Sequence, residues 1–342
     1  MLSRRQLLFS SAIAPFLLAA SDRPLTPIKP PRLRAGDGVG IFSPAGATFE
    51  RQHLDIVIDA VKGLGLQPVL GQHVLARYGG LAGPDADRAA DLNALFADDR
   101  VKLLLPLRGG WGSSRILPAL DYELMRRHPK ILVGFSDITA LLLGIHARTG
   151  LVTFHGPNGF SSWRTQQVDW FRRVLFQGEA VKFENPSAPG DSDRLMATEN
   201  RIQTITPGRA RGPLIGGNLS VLCGIVGSPY FPSCDGAILC VEDVGEAPYR
   251  LDRLLMQLQL AGILDKLAGF IFGQCPGCTP GEGYGALTLD EILRDRIAPL
   301  GIPAFSGAYL GHVENLMTLP IGLPVEIDAA RGTIAASEPA VR

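Results

Sequence analysis

This chain lacks a surplus of charge, a long apolar run beyond its first twenty residues, and any internal repeat, and each absence narrows its function. Lys plus Arg and Asp plus Glu both total 33 in 342 residues, so the formal net charge is zero. Such a balance exerts no global pull on nucleic acid or anionic membrane, and the reading excludes a nucleic-acid partner. Every later apolar segment is broken by glycine, proline or charge before it reaches the length of a membrane span. Histidine is scarce, at six, and the five cysteines leave at least one thiol unpaired. Cys275-Pro-Gly-Cys278 has no second ligand pair at similar spacing, which argues against zinc, and no metal or cofactor is expected. A disulfide between Cys275 and Cys278, suited to an oxidising compartment, or idle thiols, fits better.

What is present is enough apolar residue, 46%, for a sizeable core and about two domains. The first residues read as an address rather than as fold. Ser3-Arg4-Arg5-Gln6-Leu7-Leu8 has the twin-arginine form, and a mainly apolar stretch leads to small residues at Ala19, Ala20 and Ser21. A cleaved signal over residues 1–21 and a mature protein outside the cytoplasm are expected. An uncleaved anchor and, for a chain without a working leader, the cytoplasm are the alternatives. Pro24, Pro27, Pro30 and Pro31 then make a stiff lead-in.

From there apolar runs alternate with helical patterns. Strands are predicted at 39–42, 67–70, 101–107, 131–133 and 151–155, and helices at 49–64, 85–96, 113–120, 138–148 and 165–176. This rhythm implies right-handed βαβ units and a mostly parallel sheet, with function at the carboxyl ends of its strands. The α/β domain spans 32–178. Residues 179–211 are polar, charged and without long periodicity, and read as a linker. A second domain, 212–340, carries strands at 237–241, 267–272, 302–305 and 325–334 and helices at 249–260 and 289–297.

Two loops at the strand edge stand out. Arg108-Gly-Gly-Trp-Gly112 lets backbone N–H groups approach a ligand, or is only a glycine-rich turn; its spacing is no nucleotide fingerprint. Gly134-Phe-Ser-Asp-Ile-Thr139 resembles a nucleophile elbow without its last glycine, and puts Ser136 at a helix N-terminus; Ser136 or Asp137 as a plain helix cap is the alternative. A serine nucleophile needs a base, and His155 and His312 are the two candidates by position. It also needs a carboxylate to orient that base, and Glu242, Asp243 and Glu246 compete after the apolar run 238–241.

Taken together and in order, Arg108-Gly-Gly-Trp-Gly112, Gly134-Phe-Ser-Asp-Ile-Thr139, Gly216-Gly-Asn-Leu219, Glu242-Asp-Val-Gly-Glu-Ala-Pro-Tyr-Arg250 and Gly311-His312 resemble the LD-carboxypeptidase family of serine peptidases, the muramoyl-tetrapeptide carboxypeptidases. The resemblance covers about residue 31 to the C-terminus. It implies a Ser136–Glu242–His312 triad in a cleft between a Rossmann-like or flavodoxin-like N-terminal domain, which carries the serine, and a mainly β C-terminal domain, which carries the other two. It implies a small muropeptide substrate and a homodimer. Gly110 and Asp137 are then the expected oxyanion N–H donors. Arg108, Trp111, Arg115 and Asn218 are expected to contact substrate, with one of the two arginines on its free carboxylate. The alternatives are a self-immunity carboxypeptidase of the same family that cleaves peptide antibiotics, and, in a different class, a two-domain periplasmic peptide-binding protein.

Overall fold

The computed structural model describes residues 26–186, 201–280 and 285–342. The twin-arginine stretch and its cleavage point lie outside the described residues. In chain order the first half contains β1 (Gly38–Phe42), α1 (Arg51–Gly63), β2 (Gln67–Leu70), α2 (Asp85–Ala97), β3 (Val101–Pro106), α3 (Tyr122–Arg127), β4 (Ile131–Gly134), α4 (Thr139–Thr149), β5 (Thr153–His155) and α5 (Thr165–Arg172). The second half contains β6 (Lys182–Phe183), β7 (Gln203–Thr206), β8 (Arg209–Asn218), α6 (Leu219–Cys223), β9 (Ile238–Glu242), α7 (Pro248–Leu260), β10 (Gly269–Phe272), α8 (Leu289–Arg296), β11 (Ala304–Ser306), β12 (Leu319–Ile321), β13 (Pro324–Asp328) and β14 (Thr333–Ala336).

The first sheet runs β2-β1-β3-β4-β5-β12, parallel through β5 and antiparallel at β12. This is flavodoxin-like winding, which directs ligands to the carboxyl edge where the strand order reverses, between β1 and β3. β3 is buried at every position but Lys102, as its apolar run predicts. The second sheet runs β6-β14-β13-β8-β9-β10-β11-β7, with β8 to β11 parallel and the flanks antiparallel.

Three elements depart from expectation, each for a physical reason. The described residues within 179–211 are more than a linker: they supply β6 and β7, the two edges of the second sheet, and the start of β8. Edge strands are short and partly solvated, so they carry little apolar period. The segment after Gly112 is a 3-10 turn (Ser113–Ala119) rather than an α-helix, because Pro118 lacks an N–H and crowds the carbonyl four residues back. β12 contains Pro320, tolerated because β12 lies at a sheet edge.

One helix joins the halves. Residues 139–145 of α4 are all buried, which marks a helix enclosed on every side. It packs on β4 and β5 of the first sheet and on β8 and α6 of the second half. The N-terminus of α4 is therefore delivered to the junction of the two halves. Among the described residues no helix is long and apolar enough to cross a membrane. Cys275 and Cys278 form a disulfide, while Cys223, Cys234 and Cys240 are buried thiols, each pushed up to about 12 by burial.

Candidate active site

The site starts at the end of β4. Phe135 is extended, and Ser136 then takes φ 61°, in the left-handed region. A side chain there costs about 1–3 kcal/mol and persists only when its surroundings hold it. Asp137 does the holding. Its carboxylate, 5% exposed, accepts the Ser113 N–H at 2.8 Å, and the Ser113 hydroxyl donates to the Asp137 carbonyl. Burial pushes the Asp137 carboxyl up, and the bonds from Ser113 work against that rise. With Asp137 turned to Ser113, neither it nor Ser136 caps α4 through its side chain. The plain-cap reading is set aside.

The glycine loop after β3 lies against this elbow. A Cβ on Gly109 would stand 3.2 Å from Ser136 Oγ and 3.4 Å from the Asp137 nitrogen. The loop is gripped a second time by Arg88, a guanidinium only 1% exposed. Its Nη1 donates to the carbonyls of Gly112, at 2.9 Å, and Pro44, while Nη2 meets Asp85. Arg88 is a residue that the reading of motifs missed. Its signal is helical position: it lies four residues before Leu92 and seven before Leu95, on the buried face of α2.

The other two members come from the second half. The α4 N-terminus and the end of β8 approach so closely that a Cβ on Gly217 would overlap the Thr139 side chain, and Thr139 Oγ1 accepts the Asn218 N–H at 2.9 Å. Register then pairs Asn218 with Glu242, at the end of β9, so the carboxylate arrives beside the elbow. Glu242 is fully buried; its Oε2 lies 2.9 Å from His312 Nδ1, and His312 Nε2 lies 3.2 Å from Ser136 Oγ. The His312 ring also meets Phe135 edge-on at 5.1 Å. Gly311 has φ 78°, and a Cβ there would run into the Glu242 carboxylate. Only glycine lets the His312 loop settle onto that acid.

The structure thus brings Ser136, His312 and Glu242 into one hydrogen-bonded line and separates them from their rivals. Asp243 is buried, with its carboxyl pushed up, and is spent on Asn218 Nδ2 at 3.0 Å and on the N–H groups of Ser220 and Val244. Glu246 pairs with Arg250 at the surface. His155 is buried in β5 and reaches neither Ser136 nor any other hydrogen-bond partner among the described residues. Asn218, expected at the substrate, caps α6 by accepting the Val221 N–H and donates to Asp243, and is 4% exposed. Arg115 lies 2.9 Å from Asp85, whereas Arg108 has no carboxylate partner among the described residues and lies over the Phe160 ring at 5.7 Å. Trp111 is 56% exposed on the rim. Among the described residues no group of three or more His, Cys, Asp or Glu is placed to hold a metal ion.

The sequence of the LD-carboxypeptidase N-terminal domain matches residues 39–156, and that of the LD-carboxypeptidase C-terminal domain matches residues 211–327. A probable murein peptide carboxypeptidase of Bacillus subtilis is 37% identical over 309 residues, 89% of this chain and 93% of that protein. Among solved structures, the microcin C7 self-immunity protein of Escherichia coli superposes with a TM-score of 0.82 at 27% identity, over 92% of this chain and all of the other. A muramoyltetrapeptide carboxypeptidase from Oxalobacter formigenes superposes with a TM-score of 0.75 at 26% identity, over 88% of this chain and 99% of the other.

Proposed function

The chain belongs to the LD-carboxypeptidase family and is a serine-type carboxypeptidase; on that premise we propose that it releases the terminal D-alanine of murein tetrapeptides in peptidoglycan turnover. The observation that carries the reading is the unbroken line from Ser136 through His312 to the buried Glu242, lying at the junction of the two halves. Each residue has a role that its position supports. Ser136 Oγ attacks the carbonyl on the L-configured centre of the diamino acid while His312 Nε2 takes its proton. Glu242, bonded to Nδ1, holds the imidazole in the tautomer that presents a lone pair to Ser136, and stabilises the imidazolium that forms. The negative charge on the tetrahedral oxygen is met by the N–H groups of Gly110 and Asp137, because the glycine loop lies against the elbow. His312 returns the proton to the nitrogen of departing D-alanine. A water molecule, deprotonated by the same imidazole, then hydrolyses the acyl-serine.

A carboxypeptidase must also recognise a free carboxylate. Arg108 suits this task, because Arg115 is already paired with Asp85 while no carboxylate pairs with Arg108 among the described residues. Trp111, exposed on the same loop, supports a role in contacting the rest of the peptide.

The higher TM-score of the self-immunity protein supports a second reading, a carboxypeptidase that cleaves peptidyl-nucleotide antibiotics. The purified enzyme is incubated with disaccharide tetrapeptide and, separately, with a peptidyl nucleotide, and mass spectrometry follows the released groups. Free D-alanine from the first supports the murein reading; cleavage of the second alone overturns it. Export through the twin-arginine leader is part of the proposal, supported by Arg4-Arg5 and the apolar stretch after them. A homodimer is proposed as well, on family resemblance, and light scattering tests it.

A further inference from the structure

Behind the line of Ser136, His312 and Glu242 lies a group of buried polar atoms that the mechanism above does not use. Oε1 of Glu242, both ring nitrogens of His155 and Oγ1 of Thr318 have no hydrogen-bond partner among the described residues. All three side chains are at most 1% exposed. The backbone places His155 and Thr318 side by side next to the strand of the nucleophile. His155 ends β5, paired with Gly134 of the strand that carries the nucleophile and with Leu319 of β12 on its other side. Thr318 immediately precedes β12, and its Oγ1 is 3.2 Å from where a Cβ on Gly156 would stand. Glu242 and His312 are the two groups whose charge acts on His155, and burial holds His155 neutral, pushed down to about 4.

A buried carboxylate oxygen without a donor is costly, and native interiors satisfy such groups with protein or internal water. The inventory of donors and acceptors matches. Glu242 only accepts, a neutral imidazole offers one N–H and one lone pair, and a threonine hydroxyl does both. We propose that His155 is a positioning residue of the catalytic group, its ring N–H reaching Oε1 of Glu242 through one internal water that Thr318 also bonds. The proposal rests on the triad reading. Held at Oε1 from behind, the carboxylate keeps Oε2 on Nδ1 of His312, as second partners of ligating side chains do elsewhere. A dry pocket in which His155 only fills volume is the competing account.

His155→Phe keeps a ring of similar size and removes both nitrogens, while His155→Gln keeps a donor. With D-alanine release as the assay, the Phe variant loses about 10- to 100-fold in kcat with KM unchanged, the loss expected for one hydrogen bond to a charged group. Its acidic limb of kcat against pH moves to higher pH, because a carboxylate without that donor holds the proton of His312 more tightly. The Gln variant recovers most of both. A folded Phe variant with wild-type kcat and an unmoved limb overturns the proposal, as does equal impairment of Gln and Phe. Should the Phe variant not fold, imidazole nitrogen NMR of the wild-type chain decides. One ring N–H of His155 protected from exchange, whose resonance moves in Glu242→Gln, is expected; a ring with no protected proton contradicts the proposal. Ser136→Ala separates the two levels: if it stays active the triad reading itself falls, whatever His155 does.

Discussion

The two halves of the molecule aim the side chains of the proposed triad in different ways. The first half uses a local backbone device. β4 stops at Gly134, Ser136 takes a left-handed conformation, and α4 begins three residues later. The second half uses long-range contact. Glu242 owes its place to the register of β8 with β9, and His312 owes its place to a glycine that fits against Glu242. Ser136 and His312 are 176 residues apart in sequence yet share a hydrogen bond. A nucleophile can be held by its own neighbours, whereas its base and acid depend on how the halves meet through α4. Substitutions on the two sides should therefore fail differently.

The largest effect is expected on the long-range side. Glu242→Gln keeps shape but favours the wrong imidazole tautomer, and kcat for D-alanine release should fall about 10⁴-fold with the fold retained. A fall under tenfold would mean that the second half does not orient the base through this carboxylate. Next comes the local side. Arg88→Met removes the grip on the Gly112 and Pro44 carbonyls. If that grip sets the glycine loop, kcat should drop by about 10²–10³-fold, the cost of one oxyanion donor. An unchanged kcat in a folded variant would leave Asp137 alone as the holder of the loop.

The third prediction concerns pH and the buried histidine between the halves. His155 is held neutral in the fold down to about 4, whereas the unfolded chain takes up that proton near its ordinary value of 6.5. A folded value below the unfolded one means that the stabilisation is present above pH 6.5 and is lost as pH falls toward 4. Between those limits the wild-type chain should lose about 3 kcal/mol more than His155→Gln, measured by urea unfolding at a series of pH values. Parallel pH curves would show that His155 is not neutral in the fold. The smallest effect distinguishes two arginines on the local side. Arg108→Ala should raise KM about tenfold or more with little change in kcat, while Arg115→Ala, already paired with Asp85, leaves KM near wild type. Equal effects would remove Arg108 from its place on the substrate carboxylate.

How much of this was readable beforehand follows the same division. The apolar run at 131–133, the turn at Phe135 and the helical pattern after it are local, so the elbow was legible, and so was the glycine loop after β3. Glu242, Asp243 and Glu246 are equivalent on residue type alone, and so nearly are His155 and His312. Five ordered motifs named the triad by resemblance; in the fold the pairing of Asn218 with Glu242 separates the carboxylates. β8 was hidden because Gly212, Pro213, Gly216 and Gly217 argue against a strand; in the fold a Cβ on Gly216 would run into β9 and one on Gly217 into α4, which only the tertiary structure reveals. Arg88 was hidden because a charged residue on a helix is ordinarily solvated, and its carbonyl partners come from two other loops.

The central claim is that a serine on the local side does chemistry with a base, and the carboxylate that orients it, from the long-range side. Its most direct test is D-alanine released from disaccharide tetrapeptide by the wild-type enzyme and by Ser136→Ala, with folding checked by circular dichroism. The account predicts steady release by the wild type and a loss of about 10⁴-fold or more in the variant, with the fold intact. A folded Ser136→Ala variant that releases D-alanine at the wild-type rate would contradict it.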